Sequence, residues 1–422
     1  MSTLIHLNPG RSPPVPLLLA VALAAGSSAL AAAGQGPELP LDTKQPAAPV
    51  PWERYSDWPD SDWIAFNTIA DQTVSPPVGE RITGSETITG DPGQGRELAL
   101  DRKRGGSCVA CHIMPGAELP GNVGPDLSTI ATWGRTDEWL YNYVYDPRTS
   151  NPNSIMPPWG AHKLFSPEEI RDIVAYLKTL DTPTVFGNPL DDPARRSKDE
   201  PERDNLDPID NPGMTNLEEG EALFNRVGPA GQSCASCHEN PGEAFNTWAA
   251  HMPRFEPRLN KVMNVAEFVT RHTRATTGDE FLMESSENLA LSMFLAHQAN
   301  GQPFDVDVES PGAKQAAARG KALMERGKIG QLNFACVDCH VSGGNKWIRG
   351  QFLTPHDTQL GWHPYYRTSK AEIWDLSKRI QWCGVAIRAN ELPPDEPEYG
   401  DIELYLTHMN RGRKLNVPGI GH

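Results

Sequence analysis

The chain has 422 residues, a length that allows two to three domains of ordinary size. Its formal net charge is −16, because 54 aspartates and glutamates outnumber 38 lysines and arginines. An acidic balance argues against nucleic acid as a partner and is compatible with a basic protein partner, although general solubility explains it equally well. Proline (39) and glycine (37) are plentiful, as in proteins whose short helices are joined by long loops.

The N-terminus has the pattern of a secretory signal. Arg11 precedes an Ala/Leu-rich run from Pro16 to Ala33, within which Ala29-Leu30-Ala31 offers a cleavage site. An uncleaved membrane anchor is the alternative, but the run is short, and no other stretch approaches the ~20 apolar residues that span a bilayer. We predict a signal peptide over residues 1–33, export to the periplasm and no membrane attachment after cleavage. Residues 34–83, rich in proline, predict an N-terminal extended arm.

Three Cys-x-x-Cys-His segments use six of the seven cysteines. They are Cys108-Val109-Ala110-Cys111-His112, Cys234-Ala235-Ser236-Cys237-His238 and Cys336-Val337-Asp338-Cys339-His340. Each is the attachment pattern of haem c, in which both thiols form thioethers and the histidine binds the iron. We therefore predict three covalently bound haem c groups with His112, His238 and His340 as proximal ligands. Haem c is attached outside the bacterial cytoplasm, which agrees with export.

Helical patterns flank each of these segments. A lead-in helix is predicted from Gly95, Gly220 and Gly320, and a closing helix follows in each module. The closing helix of the first module shows apolar residues at helical spacing from Ile170 to Leu177, after a capping box at Ser166. The pattern predicts a mainly α fold with three cytochrome c domains over residues 84–182, 215–308 and 309–422. Residues 183–214, rich in proline and charge, predict a solvated linker.

The second and third modules are repeats in register. Leu295 to Gly301 matches Leu406 to Gly412 at an offset of 111, and the same offset places the unpaired Cys383 on His272. Two ligating residue types at one position are better iron-ligand candidates than either alone. We predict His272 as the distal ligand of the second haem and Cys383 as that of the third. The alternatives are His251, Met252 and His297 for the second haem, and an inert buried thiol for Cys383.

Two further residues complete the candidate site. Met156 lies between the first haem segment and the closing helix of its module, so we predict it as the distal ligand there, with Met114 as the alternative. Arg379 precedes Cys383 by four residues and shares its face if the stretch is helical. A guanidinium in that position lowers the pKa of a thiol and binds an anion. A salt bridge to a haem propionate or at the surface is the alternative for Arg379.

The chain resembles the two subunits of the sulfur-oxidising cytochrome SoxAX. Residues about 84–182 resemble SoxX, and residues about 215–420 resemble SoxA in its di-haem form. The SoxX likeness is carried by Pro120-Gly121-Asn122-Val123-Gly124-Pro125-Asp126-Leu127, by Tyr145-Asp146-Pro147-Arg148 and by Met156-Pro157-Pro158. The SoxA likeness is carried by Gly231 to His238, Arg349-Gly350-Gln351-Phe352, Arg379 to Cys383, Ile387-Arg388-Ala389-Asn390-Glu391 and Asn416-Val417-Pro418-Gly419. The whole resembles a SoxX–SoxA fusion.

The resemblance implies an L-cysteine S-thiosulfotransferase. Such enzymes join thiosulfate oxidatively to a cysteine of the SoxYZ carrier and pass electrons to a small cytochrome c. It implies that Cys383 is the active-site haem ligand, able to hold an extra sulfur as a persulfide, with Arg379 as its catalytic neighbour. It also implies His/Met ligation by His112 and Met156. The chain departs from the pattern at His272, where di-haem SoxA proteins usually have cysteine, so we expect a bis-His haem without reactive sulfur.

Two other functions stay open from the sequence. A thiosulfate dehydrogenase would couple two thiosulfates to tetrathionate at a similar Cys-ligated haem, without a carrier. A purely electron-transferring multihaem cytochrome would exchange electrons without turning over a sulfur substrate.

Overall fold

The structure, a computed structural model, describes residues 39–48, 66–73, 78–79, 81–83, 87–102, 107–197, 206–355, 363–389 and 392–421. The predicted signal peptide lies outside these residues, as do much of the predicted arm and residues 390–391. Pro40–His422 forms one unit by its internal contacts, and the remainder, Met1–Leu39, is almost wholly outside the described ranges. Within those ranges, no helix combines the length and apolar character needed to cross a membrane.

The described part of the chain is mainly helical. Its helices are α1 Pro92–Leu100, α2 Asp137–Tyr145, α3 Pro167–Leu177, α4 Gly213–Asn225, α5 Pro241–Ala244, α6 Val265–Ala275, α7 Ser286–His297, α8 Pro311–Arg326, α9 Leu376–Ala386 and α10 Pro397–Met409. Its strands are β1 Arg254–Glu256, β2 Lys261–Met263, β3 Lys346–Ile348, β4 Gln351–Leu353, β5 Tyr365–Arg367, β6 Glu372–Trp374 and β7 Gly419–Gly421. Strands β1–β2 and β3–β4 form antiparallel hairpins, and β5 lies between antiparallel β6 and parallel β7.

Each of the three predicted modules is built on a crossing of its first and last helices. These pairs are α1 with α3, α4 with α7, and α8 with α10. The predicted lead-in glycines Gly95, Gly220 and Gly320 stand at the crossings, where an added Cβ would lie 1.9, 2.2 and 2.0 Å from a carbonyl oxygen of the facing helix. Glycine is therefore required there for close backbone approach. The capping box at Ser166 is confirmed, with Glu169 bonding back to the cap.

The second and third modules repeat in space with the offset predicted from the sequence. Strands β1 and β5, strands β2 and β6, helices α6 and α9, and helices α7 and α10 each begin 111 residues apart. The helix pair α6 and α9 is capped by the side chains of Asn264 and Asp375, which are equivalent positions. His272 and Cys383 therefore occupy the same turn of equivalent helices.

The two repeats pack against each other reciprocally. Val262 of β2 shares a buried apolar cluster with Leu404 of α10, and Ile373 of β6 shares one with Met293 of α7. Each strand pair is thus covered by the closing helix of the other repeat. Helices α6 and α9, which carry His272 and Cys383, therefore hold equivalent positions in the two repeats.

Parts of the linker and of the arm pack on the protein. Pro193 and Arg196 are buried, so the linker is not solvated at these two positions, contrary to the prediction, whereas Val185 and Ile209 are exposed. Arg196 is buried because its guanidinium donates hydrogen bonds to the distant backbone carbonyls of Pro120 and Arg349. Composition does not reveal such contacts. In the arm, the Asp42 N–H donates to the Arg271 carbonyl (2.9 Å), and the Arg271 guanidinium donates to the Gln45 carbonyl (2.7 Å). The arm segment 40–48 therefore lies against α6.

Candidate functional site

Burial disfavours ionisation of five of the six cysteines in the Cys-x-x-Cys-His segments. All seven cysteines of the chain are free of disulfides. Burial raises the pKa of Cys108, Cys336 and Cys339 to about 12, and that of Cys111 and Cys234 to about 11. Two reduced cysteines with two residues between them, followed directly by a histidine, fit thioether attachment of haem c.

The first histidine is oriented by the backbone. Its Nδ1–H donates to the Pro125 carbonyl (2.7 Å), which leaves Nε2 of His112 as the nitrogen for a metal. Burial lowers the pKa of His112, which keeps the imidazole in the neutral, ligating form. A Cβ on Gly124 would lie 2.2 Å from the ring, so this glycine makes room for the histidine. These features fit a proximal haem ligand.

The two methionines considered for the first haem lie in different environments. Met114 is fully buried within the apolar core of the first module. Met156 is half-buried and packs against the edge of the same cluster, as does Cys108. A thioether at the edge of the core is free to face a cofactor, whereas a fully enclosed one is occupied with packing. Met156 therefore stays our prediction.

The second pair of histidines faces each other. The ring centroids of His238 and His272 are 6.3 Å apart. An iron between the two rings would need two metal–nitrogen bonds of about 2 Å each. The rest of the 6.3 Å matches the distance from each ligating nitrogen to the centroid of its own ring. Burial lowers the pKa of both histidines, and His272 Nδ1–H donates to the Pro40 carbonyl (2.8 Å). The site fits bis-His ligation, with the N-terminal arm orienting one ligand.

The rival ligands for the second haem are not distinguished by their hydrogen bonds. His251 and His297 place Nδ1 on a backbone carbonyl, at 2.7 and 2.6 Å, as His272 does. Met252 is buried in a cluster with Met263 and Phe268. His272 is the candidate whose ring faces His238.

Cys383 and Arg379 form a contact on helix α9. The predicted helix is confirmed, and the Arg379 Nη1 donates to Cys383 Sγ at 3.1 Å across one turn. In the Cys-x-x-Cys-His segment of the same module, His340 Nδ1–H donates to the Thr354 carbonyl (2.9 Å). His340 is near enough to the Cys383 thiol to lower its pKa, so the structure brings the two predicted ligands of the third haem together.

Cys383 differs electrostatically from the paired cysteines. Burial alone raises its pKa, but the Arg379 charge, the His340 hydrogen bond and charge, and the Arg367 charge together lower it to about 7. A thiol with that pKa is substantially ionised at neutral pH, and the thiolate is both the metal ligand and the nucleophile. Among the cysteines whose pKa is shifted, Cys383 is the one whose pKa is lowered.

The equivalent site in the second module lacks these charges. Phe268 stands where the third module has Arg379, and it stacks on His272 with ring centroids 5.0 Å apart. Glu256 stands where the third module has Arg367, so a cation in one repeat is an anion in the other. The duplicated scaffold therefore has Arg379, Arg367 and Cys383 in one repeat and Phe268, Glu256 and His272 at the equivalent positions of the other.

Sequence reasoning missed Arg367 and His363. Arg367 is buried, donates from Nη1 to the Tyr365 hydroxyl (2.9 Å) and lies over the Trp374 ring. His363 lies 5.0 Å from the Tyr365 ring, and burial together with the Arg379 charge lowers its pKa to about 3, so it is neutral. The repeat offset of 111 could have singled out both residues. It aligns Arg367 with Glu256 and His363 with Met252, so the two repeats differ in chemistry at these positions.

Two family models match parts of the chain. Residues 219–304 match the family described as SoxA/TsdA, cytochrome c domain, and residues 99–177 match that of cytochrome c oxidase, cbb3-type, subunit III. Both families are c-type cytochromes, so covalently bound haem c is the cofactor of these domains. The matched ranges fall within the second and first modules.

Individual relatives are SoxA proteins. The chain is 30% identical over 208 residues to the L-cysteine S-thiosulfotransferase subunit SoxA of Chlorobaculum tepidum, covering 49% of this chain and 71% of that protein. It is 30% identical over 206 residues to that of Allochromatium vinosum (48% and 71%). The crystal structure of SoxXA from P. pantotrophus aligns with a TM-score of 0.49 at 25% identity, covering 53% of this chain and 84% of that one. The chain therefore belongs to the SoxA family of c-type cytochromes and carries an additional cytochrome c domain ahead of its SoxA-like part.

Proposed function

We propose that this protein joins thiosulfate oxidatively to a cysteine of a SoxYZ carrier, as an L-cysteine S-thiosulfotransferase. The carrier thiol and thiosulfate form one S–S bond and release two electrons and one proton. The name of the SoxA relatives supports this reaction class. The observation that carries the proposal is the 3.1 Å contact between Arg379 and Cys383 in a module whose repeat has Phe268 and His272 there.

Arg379 and Cys383 are the catalytic pair. The Arg379 guanidinium offers planar, charged donors to the thiosulfate dianion, and the nearby Arg367 adds a second positive charge. Cys383, as thiolate or persulfide, places an anionic sulfur beside the bound anion. The neighbouring cations offset the repulsion between the two sulfur groups, which otherwise keeps them apart.

Three haem c groups provide the electron path in this proposal. When bound, haem c supplies single-electron oxidation and reduction. We assign His112 and Met156 to the first haem, His238 and His272 to the second, and His340 and Cys383 to the third. Thioether ligation raises a haem potential, so the first module (residues 84–182) is the exit toward a small cytochrome c. The repeats over residues 215–308 and 309–422 hold the other two, and the periplasm is the proposed compartment.

The test is a thiosulfate oxidation assay with and without the SoxYZ carrier. We expect turnover only with the carrier, and we expect Cys383→Ala to abolish it while all three haems stay attached, as measured by intact mass. Substantial turnover by Cys383→Ala would refute the assignment. The same mass spectra should show a fraction of wild-type Cys383 with one additional sulfur, and EPR spectra should report one His/Met, one bis-His and one His/Cys haem.

A thiosulfate dehydrogenase is the second candidate. The family matched by residues 219–304 includes TsdA as well as SoxA. Formation of tetrathionate at the same rate without any carrier would favour this activity. Rapid electron exchange with no sulfur-substrate turnover would leave a purely electron-transferring cytochrome.

A further inference from the structure

The first and third modules are joined backbone to backbone beside their haem-binding segments. The Arg349 N–H donates to the Ala110 carbonyl at 2.9 Å. The Asn122 N–H donates to the Trp347 carbonyl (2.9 Å), and the Trp347 N–H donates back to Asn122 Oδ1 (2.7 Å). Ala110 lies within the first Cys-x-x-Cys-His segment, and the partners lie on the β3–β4 hairpin of the third module. We call this set of hydrogen bonds the joint.

Arg196, from the segment predicted as a linker, sits across the joint. Its side chain is buried, with the residue 7% exposed. The guanidinium donates four hydrogen bonds, all to backbone carbonyls, at Leu190 (2.6 Å), Asp191 (3.1 Å), Pro120 (2.8 Å) and Arg349 (2.8 Å). These acceptors belong to the linker, to the loop after the first haem segment, and to the hairpin. One side chain thus connects three separate segments.

The surroundings of Arg196 are matched to a cation. The guanidinium lies 5.3 Å from the centroid of the Trp347 ring, a cation–π distance. Burial lowers the pKa of Arg196, while the charges of Asp191 and Asp192 oppose that shift. Asp191 also accepts from the Leu119 N–H (2.8 Å), which ties the linker to the first loop a second time. A fork of donors is the group that can satisfy several carbonyls at once.

We propose that Arg196 is a positioning residue that holds the first haem-binding loop on the β3–β4 hairpin, so that electrons pass from the third site directly to the first. For each electron that leaves the third site one arrives at the first, and the two electrons of one turnover pass in succession. The inference rests on the proposed haem sites, but it does not depend on the substrate.

Hydrogen exchange on the intact holoprotein tests the structural half of the proposal. Arg196→Met removes the four bonds, and the adjacent, exposed Arg195→Met is the matched control. Loss of charged hydrogen bonds to buried carbonyls should raise exchange at Asn122, Trp347 and Arg349 at least about tenfold in Arg196→Met and leave Arg195→Met at the wild-type rate. Arg196→Lys keeps the charge without the fork, so it should fall between them. Wild-type exchange in Arg196→Met, or in Arg196→Lys if the methionine variant does not fold, would overturn the proposal.

Flash reduction of the same proteins tests the electron-transfer half. One electron is introduced without thiosulfate or carrier, and its arrival at the first haem is followed optically. We expect slower arrival in Arg196→Met than in Arg195→Met, with haem content equal. Equal rates alongside loosened exchange would overturn the proposed role in electron transfer. Because neither measurement uses a sulfur substrate, a failed turnover assay leaves both results interpretable.

Discussion

Replacing Glu403 by glutamine should make the stability of this protein less dependent on pH. Glu403 Oε2 accepts hydrogen bonds from Asn264 Nδ2 (3.0 Å) and Ser377 Oγ (3.1 Å), at the starts of the two equivalent helices α6 and α9. Burial and the nearby Asp375 charge, with a further contribution from Glu267, raise the pKa of Glu403 from 4.5 to about 7, although the two hydrogen bonds oppose the rise. Glutamine keeps an oxygen acceptor for both donors and cannot ionise.

The sign and size of the effect follow from proton linkage. Between pH 4.5 and 7 the folded state holds a proton that the unfolded state has released, so the stability from Glu403 is fully present below pH 4.5. It is lost as the pH rises through about 7. Each pH unit in that window costs about 1.4 kcal/mol, so ionised Glu403 lowers the free energy of unfolding by about 3 kcal/mol at pH 8. Glu403→Gln should therefore match the wild type near pH 4.5 and exceed it by about that amount at pH 8.

The assay is denaturant unfolding followed by circular dichroism at pH 4.5, 6 and 8. Glu221→Gln, which removes an exposed carboxylate from helix α4, is the control and should track the wild type at every pH. A difference between Glu403→Gln and the wild type that stays constant across this range would refute the reasoning, because it would show that Glu403 does not change its protonation there.

Three further predictions concern the haem sites and the joint. His272→Met should raise the potential of the second haem, because a thioether replaces an imidazole; a spectroelectrochemical titration that shows no shift would exclude His272 as a ligand. Gly121→Ala should destabilise the protein by about 1–3 kcal/mol, because the new Cβ would lie 2.0 Å from the Ala110 carbonyl oxygen. Gly187→Ala is the control and should not destabilise it, because no atom lies within 4 Å of the new Cβ. Thermal unfolding compares the two variants. Arg271→Met should cost about 3–5 kcal/mol, because it leaves buried Glu267 without one of its partners; a smaller loss in denaturant unfolding would mean that the Lys261 contact suffices.

Local patterns in the sequence predicted the repeat and its register. The offset of 111 could be recognised at the end of the closing helix and in the turn after it. Residues there, such as Leu295 and Leu406, have the same spacing in both modules. It placed Cys383 on His272 correctly, and the helical spacing placed Arg379 beside Cys383. Both results depend on local periodicity, which a single sequence contains.

The long-range contacts could not be predicted in the same way. Arg196 reads as one of several charged residues in a proline-rich stretch, and Pro40 as part of a featureless arm. Arg196 and Pro40 matter through hydrogen bonds that backbone carbonyls accept. Every residue has a backbone carbonyl, so the residue type does not reveal which ones take part. The Arg196 and His272 contacts both join segments more than 70 positions apart. Only the folded chain shows which carbonyl meets which donor.

The reciprocal packing of the repeats has a practical consequence for anyone who divides this protein. Val262 and Leu404 belong to different repeats, as do Ile373 and Met293, and all four are buried. A fragment cut between the repeats would expose one member of each pair to water on both halves. Fragments that hold one repeat should therefore associate or aggregate, and the proposed haem sites are better studied by ligand substitution in the intact chain.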